Sequence, residues 1–501
     1  MYGIVDAEAI ERQGIVRCWQ AEKSTGIQPI DLANFPIAKA TSTVIMTTTT
    51  TMMNMMKRMI TIRKNLKEMG SMYSWPEARI GEHCDVKGGK RLPKGEALRG
   101  VLTSYPYIRV VDMQHGHIEQ ANLQYVPDDV YPRIKRYTVA SGNIMISIMG
   151  TIGSVAIIPQ ELNGANLTEN AAKIMPVSDD VDVRFLYYYL RSREGQAAIG
   201  SQTVGSTQPK LALYRIKDIP FPKPPFVIQQ RIARILGTMD DKIELNHRMN
   251  ETLEAMARTL FKSWFVDFDP VRAKAEGRDT GLPDEIADLF PDSFEDSELG
   301  EIPKGWKLEP FSEIVEINPP RTLTKEAVAP YVDMAALPTS GSQLEASPTA
   351  REYKPGSRCR NGDVLFARIT PCLDNGKTVL VDFLEDGEVE AGSTEFLVFG
   401  PRVAGTYFTY CASRWDALRD HAITSMTGTS GRQRAQKEAF DHLEMAIPDS
   451  GLLSAFEARV APVFVAQRNA STESRSLSAI RDTLLPHLVS GEIDVSLEGS
   501  G

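Results

Sequence analysis

The stretch PPFVIQQRIARILGTMDDKIELNHRMNETLEAMARTLFKSWFVDFDPVRAK, residues 224–274, decides how this chain is organised. Two prolines at its head favour a helix start, because the first turn of a helix leaves its N–H groups unused and proline has its φ already set. Behind them apolar residues recur at Ile228, Ile232, Ile235, Met239, Met249, Leu253, Met256 and Leu260, in alternating steps of four and three. Heptad spacing of this kind keeps one apolar stripe facing a partner helix. In the gap the same register puts Lys242 and Asn246 on the seam, where a polar residue costs stability and fixes register and partner. An ordinary core helix with a polar end is the other reading of the same spacing. About 35 residues at ~1.5 Å each make a rod near 50 Å, longer than one ~34 Å turn of duplex DNA.

Outward from this stretch, the chain repeats itself once. Trp75 pairs with Trp306, Gly142 with Gly362, Thr168-Glu169 with Thr394-Glu395, Ile219-Pro220 with Ile447-Pro448, Ala233-Arg234 with Ala458-Arg459, and Thr259-Leu260 with Thr483-Leu484, at separations between 220 and 231 residues. A second helix is therefore expected from roughly Ala455 to Leu488, with Phe456, Val460, Val463, Ala470, Leu477 and Leu484 on its seam, and with Pro462 kinking it or beginning it anew. Before each helix lie short β-branched and aromatic runs punctuated by glycine. They are Tyr107–Val111, Ile144–Ile148 and Val155–Ile158 in the first module, and Val364–Arg368, Thr378–Val381 and Glu395–Phe399 in the second. Helical segments are expected at Val183–Ser192 and near Tyr407–Ala417. The expected fold class is α+β, with two mixed α/β modules, each followed by a long helix. A duplicated chain holding two similar surfaces suits a reader of two sites better than an enzyme with one pocket.

Charge has to be read locally before it is used. Between Glu276 and Glu301 there are ten carboxylates against one basic residue, Arg278, which equals the net charge of −9 of the whole chain. Residues 73–225 carry 18 Lys+Arg against 15 Asp+Glu, so the first module is mildly basic once this connector is set aside. No apolar run approaches the ~18 residues a membrane helix needs, so a cytoplasmic address is expected. Five cysteines, Cys18, Cys84, Cys359, Cys372 and Cys411, form no CxxC pair and are expected to be free and mostly buried. Residues 1–72 hold a threonine run, Thr47–Thr51, and a methionine cluster at Met52, Met53, Met55, Met56 and Met59. They are expected to be a poorly ordered extension, or sequence upstream of a true start at Met69 or Met72, with an amphipathic helix over 52–68 as the rival reading.

Residues 224–274 closely resemble the central conserved region of DNA-specificity (S) subunits of Type I restriction-modification systems. GLPDEIADLFPDSFEDSELGEIPKGW (281–306) resembles their connector, LFARITPCLDNGK (365–377) an element of their target-recognition domains, and LSAIRDTLLPHLVSGEIDV (477–495) their distal conserved region. The resemblance spans about 73–495. It implies target-recognition domains at 73–224 and 302–449, a central conserved helix at 225–275, an acidic connector at 276–301 and a distal conserved helix at 450–495. The two helices would pair as an antiparallel coiled coil in a pseudo-two-fold repeat and act as a ruler between the half-sites of a split, asymmetric sequence in double-stranded DNA. Two modification (methyltransferase) subunits and restriction (motor and nuclease) subunits would be the protein partners, carrying S-adenosylmethionine, ATP and Mg; no cofactor or metal is expected in this chain.

DNA reading needs Lys and Arg for phosphates and Arg, Lys, Asn or Gln for base edges. Candidates in the first module are Lys87, Lys90, Arg91, Lys94 and Arg99, interleaved with glycines, and Gln208 and Lys210. Those in the second are Arg360, Arg368, Asn375 and Lys377, with Arg432, Gln433 and Arg434. Two competing classes are a self-contained DNA methyltransferase and a non-catalytic coiled-coil adaptor. Asn318-Pro319-Pro320-Arg321 resembles the Asn-Pro-Pro-aromatic signature of amino-methyltransferases, but arginine stands where the base-stacking ring belongs and no glycine-rich cofactor loop accompanies it. No GxxxxGK[ST] loop for ATP occurs. His115-Gly116-His117 has the spacing of a metal pair and is read as a loop. No catalytic residue is expected.

Overall fold

The computed structural model describes residues 75–495, apart from 115, 121–122, 206–208, 324–327, 353–355, 386, 429–432 and 494. The expectations for residues 1–72 lie outside the described residues, as do Cys18, His115, Gln208 and Arg432. The described chain divides into two compact units, one of residues 75–245 with 473–495 and the other of residues 246–472.

In the first unit, alternating apolar runs build a four-stranded antiparallel sheet in the order Cys84–Gly88, Ala171–Pro176, Ile144–Ser147, Val155–Ile157. A smaller sheet follows the order Gln124–Tyr125, Pro106–Ile108, Asn166–Leu167, the last two strands parallel. Glu77–Arg79 pairs antiparallel with Pro220–Pro222, which ties the start of the module to its end. The helix Val183–Arg191 buries Phe185 to Leu190 without a break, as a helix covered on all sides must. Asp182 caps it, accepting from the Phe185 amide at 2.9 Å.

The second unit repeats this plan. Its main sheet runs Val315–Ile317, Phe396–Pro401, Val364–Ala367, Thr378–Leu380, its closing pair is Lys307–Pro310 with Glu444–Ile447, and its smaller sheet again contains one parallel pair, Val328–Val332 with Glu390–Gly392. The glycines matched in sequence do the same work. Gly142 and Gly362 both sit at positive φ, +80° and +93°, and turn the chain into the central strands Ile144–Ser147 and Val364–Ala367. The expected helix near Tyr407–Ala417 is two helices, Thr406–Ser413 and Asp416–Thr424, broken at Arg414-Trp415.

The central helix runs Phe226–Phe265 and the distal helix Ser450–Val489. Pro462 does not start the distal helix anew; it is exposed within an unbroken helix, where its missing N–H costs one bond to the preceding turn. In each unit the two helix segments are antiparallel. In the first, Met239 and Ile243 pack with Leu477, Lys242 lies 3.5 Å from Glu473, and Ile232 and Leu236 share a core with Leu485 and Leu488. In the second, Asn246 Nδ2 donates to the Ala470 carbonyl at 3.2 Å, Asn250 Nδ2 to Ser471 Oγ at 2.9 Å, and Trp264 packs edge-on to Phe456.

Of the heptad residues, Ile232, Met239, Asn246, Leu253, Phe456, Val460, Ala470 and Leu477 are buried, whereas Ile228, Ile235, Met249, Met256, Leu260, Val463 and Leu484 are half-buried. Leu236, Ile243, Ala257, Phe261 and Phe464 complete the buried face. The arc is wider than a two-helix seam because each helix also covers a module, and it is centred one residue further along. An aromatic knot of Phe261, Trp264, Phe265, Phe408 and Phe456, centroids 5.0–6.3 Å apart, anchors the helices to the second module. Full burial of each ring is worth ~1.5–3 kcal/mol or more. Cys84, Cys359 and Cys411 are buried free thiols and Cys372 is partly exposed. Among the described residues no helix is long and apolar enough to cross a membrane.

Candidate nucleic-acid interface

Three chain segments meet at one end of each main sheet, and backbone hydrogen bonds join them in the same pattern twice. In the first module the turn after Ile144–Ser147 is held by the Ile148 amide on the Asn170 carbonyl (2.8 Å) and the Leu211 amide on the Ile148 carbonyl (3.1 Å), while Val204 and Lys210 exchange two bonds of 3.1 and 2.9 Å. In the second module the Arg368 amide donates to the Glu395 carbonyl (3.0 Å), the Ala435 amide to the Arg368 carbonyl (2.8 Å), and Thr427 and Arg434 exchange bonds of 3.1 and 3.0 Å. Bridges Met149 to Lys210 and Ile369 to Arg434 complete the match. Lys210 and Arg434 therefore occupy equivalent positions on equivalent frames.

The candidate side chains fall into two groups. Lys87, Lys90, Lys94, Arg99, Lys210, Arg360, Asn375 and Gln433 are exposed. Lys87 lies 2.9 Å from Asp85, and Lys90 lies 5.9 Å from the centroid of the Tyr137 ring. The others are engaged more tightly. Arg91 Nε donates to Glu169 at 2.7 Å, Arg434 grips Glu395 through Nε (2.7 Å) and Nη2 (2.5 Å), and Lys377 Nζ donates to the Met334 carbonyl at 3.0 Å. Arg368 is half-buried beside the same carboxylate, Glu395. The hydrogen bond from Arg434 holds the Glu395 carboxyl below its usual range. Partial burial works against ionisation of Glu169, but the bond from Arg91 outweighs it and the result is again a lowered pKa.

The Type I restriction modification DNA specificity domain matches residues 72–255. The specificity subunit of the Type I restriction enzyme HindI from Haemophilus influenzae is 24% identical over 476 residues, covering 84% of this chain and all of that protein. The MjaIX specificity subunit from Methanocaldococcus jannaschii is 26% identical over 445 residues, covering 86% of this chain and 93% of that one. Over most of its length the chain is thus similar to DNA-specificity subunits of Type I restriction-modification systems. A solved S subunit from M. genitalium aligns over 84% of this chain and 97% of its own, at 16% identity and a TM-score of 0.45.

The Asn-Pro-Pro-Arg motif has a structural use. Asn318, at φ +53°, accepts from the Val398 amide through Oδ1 at 3.0 Å and donates its own amide to the Val398 carbonyl at 2.7 Å. Arg321, 11% exposed, makes two bonds of 3.1 and 2.7 Å to the buried Asp363. Its guanidinium is thereby held against the sheet rather than presented to a base. His117 belongs to a two-stranded hairpin with Met113–Gln114, and burial holds its pKa down although Asp240 and Glu244 oppose that.

Sequence reasoning missed Arg136 and Tyr137, where the guanidinium lies 5.1 Å over the ring beside Lys90; the run Lys135-Arg136-Tyr137 was the available signal. It also missed the buried anchors between helices and modules. Asp240 receives Tyr188 Oη at 2.7 Å and Arg481 at 2.6 Å, with Arg191 at 3.6 Å. Glu254 receives Tyr410 Oη at 2.6 Å and the Gly341 amide at 2.5 Å, with Arg414 at 3.3 Å. Gln229 accepts from the Asp182 amide and donates to the Asp180 and Pro224 carbonyls at 2.9–3.0 Å. Their partners are distant in sequence, so no local pattern marks them.

Proposed function

We propose that this chain is the non-catalytic, sequence-reading subunit of a Type I restriction-modification complex, with the target-recognition domains 73–224 and 302–449 each reading one half of a bipartite, asymmetric site in double-stranded DNA. The observation that carries the reading is the doubled three-segment frame, which places Lys210 and Arg434 at matching positions among further basic and amide side chains. Lysine and arginine at these places supply the phosphate contacts that position a reader and the forks that identify bases. The central and distal helices would dock two modification subunits, and restriction subunits would join that assembly. S-adenosylmethionine, ATP and Mg would be carried by those partners. The acidic overall charge is compatible with DNA binding because residues 276–301 account for its full value.

The test is long-read methylation mapping of DNA from cells co-expressing this chain with its modification subunit. A new split motif with a fixed non-specific spacer is the expected result. Methylation that requires this chain but has no split motif would contradict the reading.

A further inference from the structure

Each module carries a carboxylate beside the start of the same strand of its main sheet, Glu395 directly before Phe396–Pro401 and Glu169 one residue further out, ahead of Asn170 and Ala171–Pro176, and each carboxylate holds an arginine. Glu395 holds Arg434 through two bonds, and Glu169 holds Arg91 through one. The arginines arrive from different loops. Arg91 follows the strand Cys84–Gly88; in the second module the arginine after Val315–Ile317, Arg321, matches Lys90 in register and turns inward to Asp363. The counterpart of Arg434 is Lys210, which is exposed and has no fork. Each module thus has an acidic post near the start of this strand, one residue apart in register, and the arms the posts hold come from different loops.

Fold stability gives little reason for such a post, since ion pairs this exposed contribute little. A negative charge among DNA-facing cations also weakens phosphate attraction unless it has another use. A carboxylate that binds one edge of a guanidinium fixes the plane of the fork, and a fixed planar fork is what bidentate contact with guanine O6 and N7 requires. The side chains of Arg434 and Arg91 keep 41% and 79% of their surface exposed, so their heads are accessible to a ligand.

We propose that Arg434 and Arg91 are specificity-determining residues, each reading one guanine in the half-site of its own module, and that Glu395 and Glu169 are positioning residues that aim them. Lys210 contacts a backbone phosphate. This rests on the reading of the chain as a DNA-specificity subunit. A carboxylate near the same strand start serves each module, and a shift of post and arm between neighbouring positions is one way in which two copies of a fold come to read different sequences.

The experiment compares methylation maps of cells expressing the full chain, wild type or variant, with its modification subunit. Arg434→Ala is expected to relax one guanine position of the second half-site by ~10- to 100-fold in relative methylation and to leave the first half-site unchanged. Arg91→Ala should do the converse. Arg434→Lys keeps the charge without the fork and should resemble the alanine variant, while Glu395→Gln should give a weaker form of the same change at the same position. Lys210→Ala should lower methylation at all sites without altering the motif. If the wild type yields a split motif but Arg434→Lys and Arg91→Ala preserve every base preference, the inference is overturned while the functional reading stands. If the wild type yields no split motif, both fall. Because Arg434→Lys is a conservative change at a half-exposed position, it decides the matter even where the alanine variant is poorly recovered.

Discussion

The two modules share a strand order and a hydrogen-bonded frame, yet they carry net charge of opposite sign. Residues 73–225 carry 18 Lys+Arg against 15 Asp+Glu; residues 302–449 carry 16 against 21. The first module exposes cations around an aromatic ring, Lys90 and Arg136 beside Tyr137. Both modules commit arginines to carboxylates, the first with Arg91 on Glu169, Arg109 on Asp112 and Arg133 on Glu96, the second with Arg321 on Asp363, Arg351 on Asp333, Arg402 on Glu313 and Arg434 on Glu395. The lesson is a division of labour. Apolar alternation and a few glycine turns specify the frame, and the polar face is free to diverge on it.

The largest expected effect breaks the comparison at the helix anchors. Asp240→Ala would take the buried carboxylate from Arg191 and from Arg481, 18% and 12% exposed, leaving Arg481 the exposed Asp482, at a cost of ~3–5 kcal/mol. Glu254→Ala should cost less, because Arg414 also donates to the carbonyls of Thr339, Gly376, Thr378 and Gly341 and keeps those acceptors. Hydrogen exchange followed separately in the two units measures both; equal losses would show that the carbonyl cage contributes nothing.

A pH difference between the modules sharpens the comparison further. Burial, with Glu388 adding to it, pushes the Glu390 carboxyl from 4.5 up to about 8, next to the Cys359 thiol. Between about 4.5 and 8 the unfolded chain has lost a proton that the folded module keeps, so stability of the second module falls as pH rises through that window. Glu390→Gln should abolish that slope in hydrogen exchange of residues 302–449 and leave the first module as it was. An unchanged slope in the variant would mean the carboxyl is ionised in the fold. Smaller still is the expected effect of Glu169→Gln and Glu395→Gln on stability. Both should leave the unfolding midpoint in place while changing base preference, and a large drop in the midpoint would assign these residues to the fold instead.

Much of this architecture was legible in the sequence, and the parts that were not have a common cause. Runs such as Ile144–Ile148 and Val364–Arg368 announced strands because alternation and flanking glycines are local signals, and both strands formed within those bounds. The heptad placed Ile232, Met239, Asn246 and Leu253 in the core, yet it could not show that the helix buries a second flank, through Leu236, Ile243 and Ala257, where a module lies on it. Gln229, Asp240 and Glu254 resisted reading because a buried polar residue has meaning only through partners far away in the chain. Arg434 was picked out by its charge, but its carboxylate partner 39 residues away was not.

The most direct test of the account exchanges residues 302–449 for the corresponding domain of a specificity subunit that reads a different sequence, and maps methylation by long-read sequencing. The account predicts a motif in which one half-site changes while the other half-site is retained. A change in both half-sites, or in neither, would contradict the assignment of one half-site to each module.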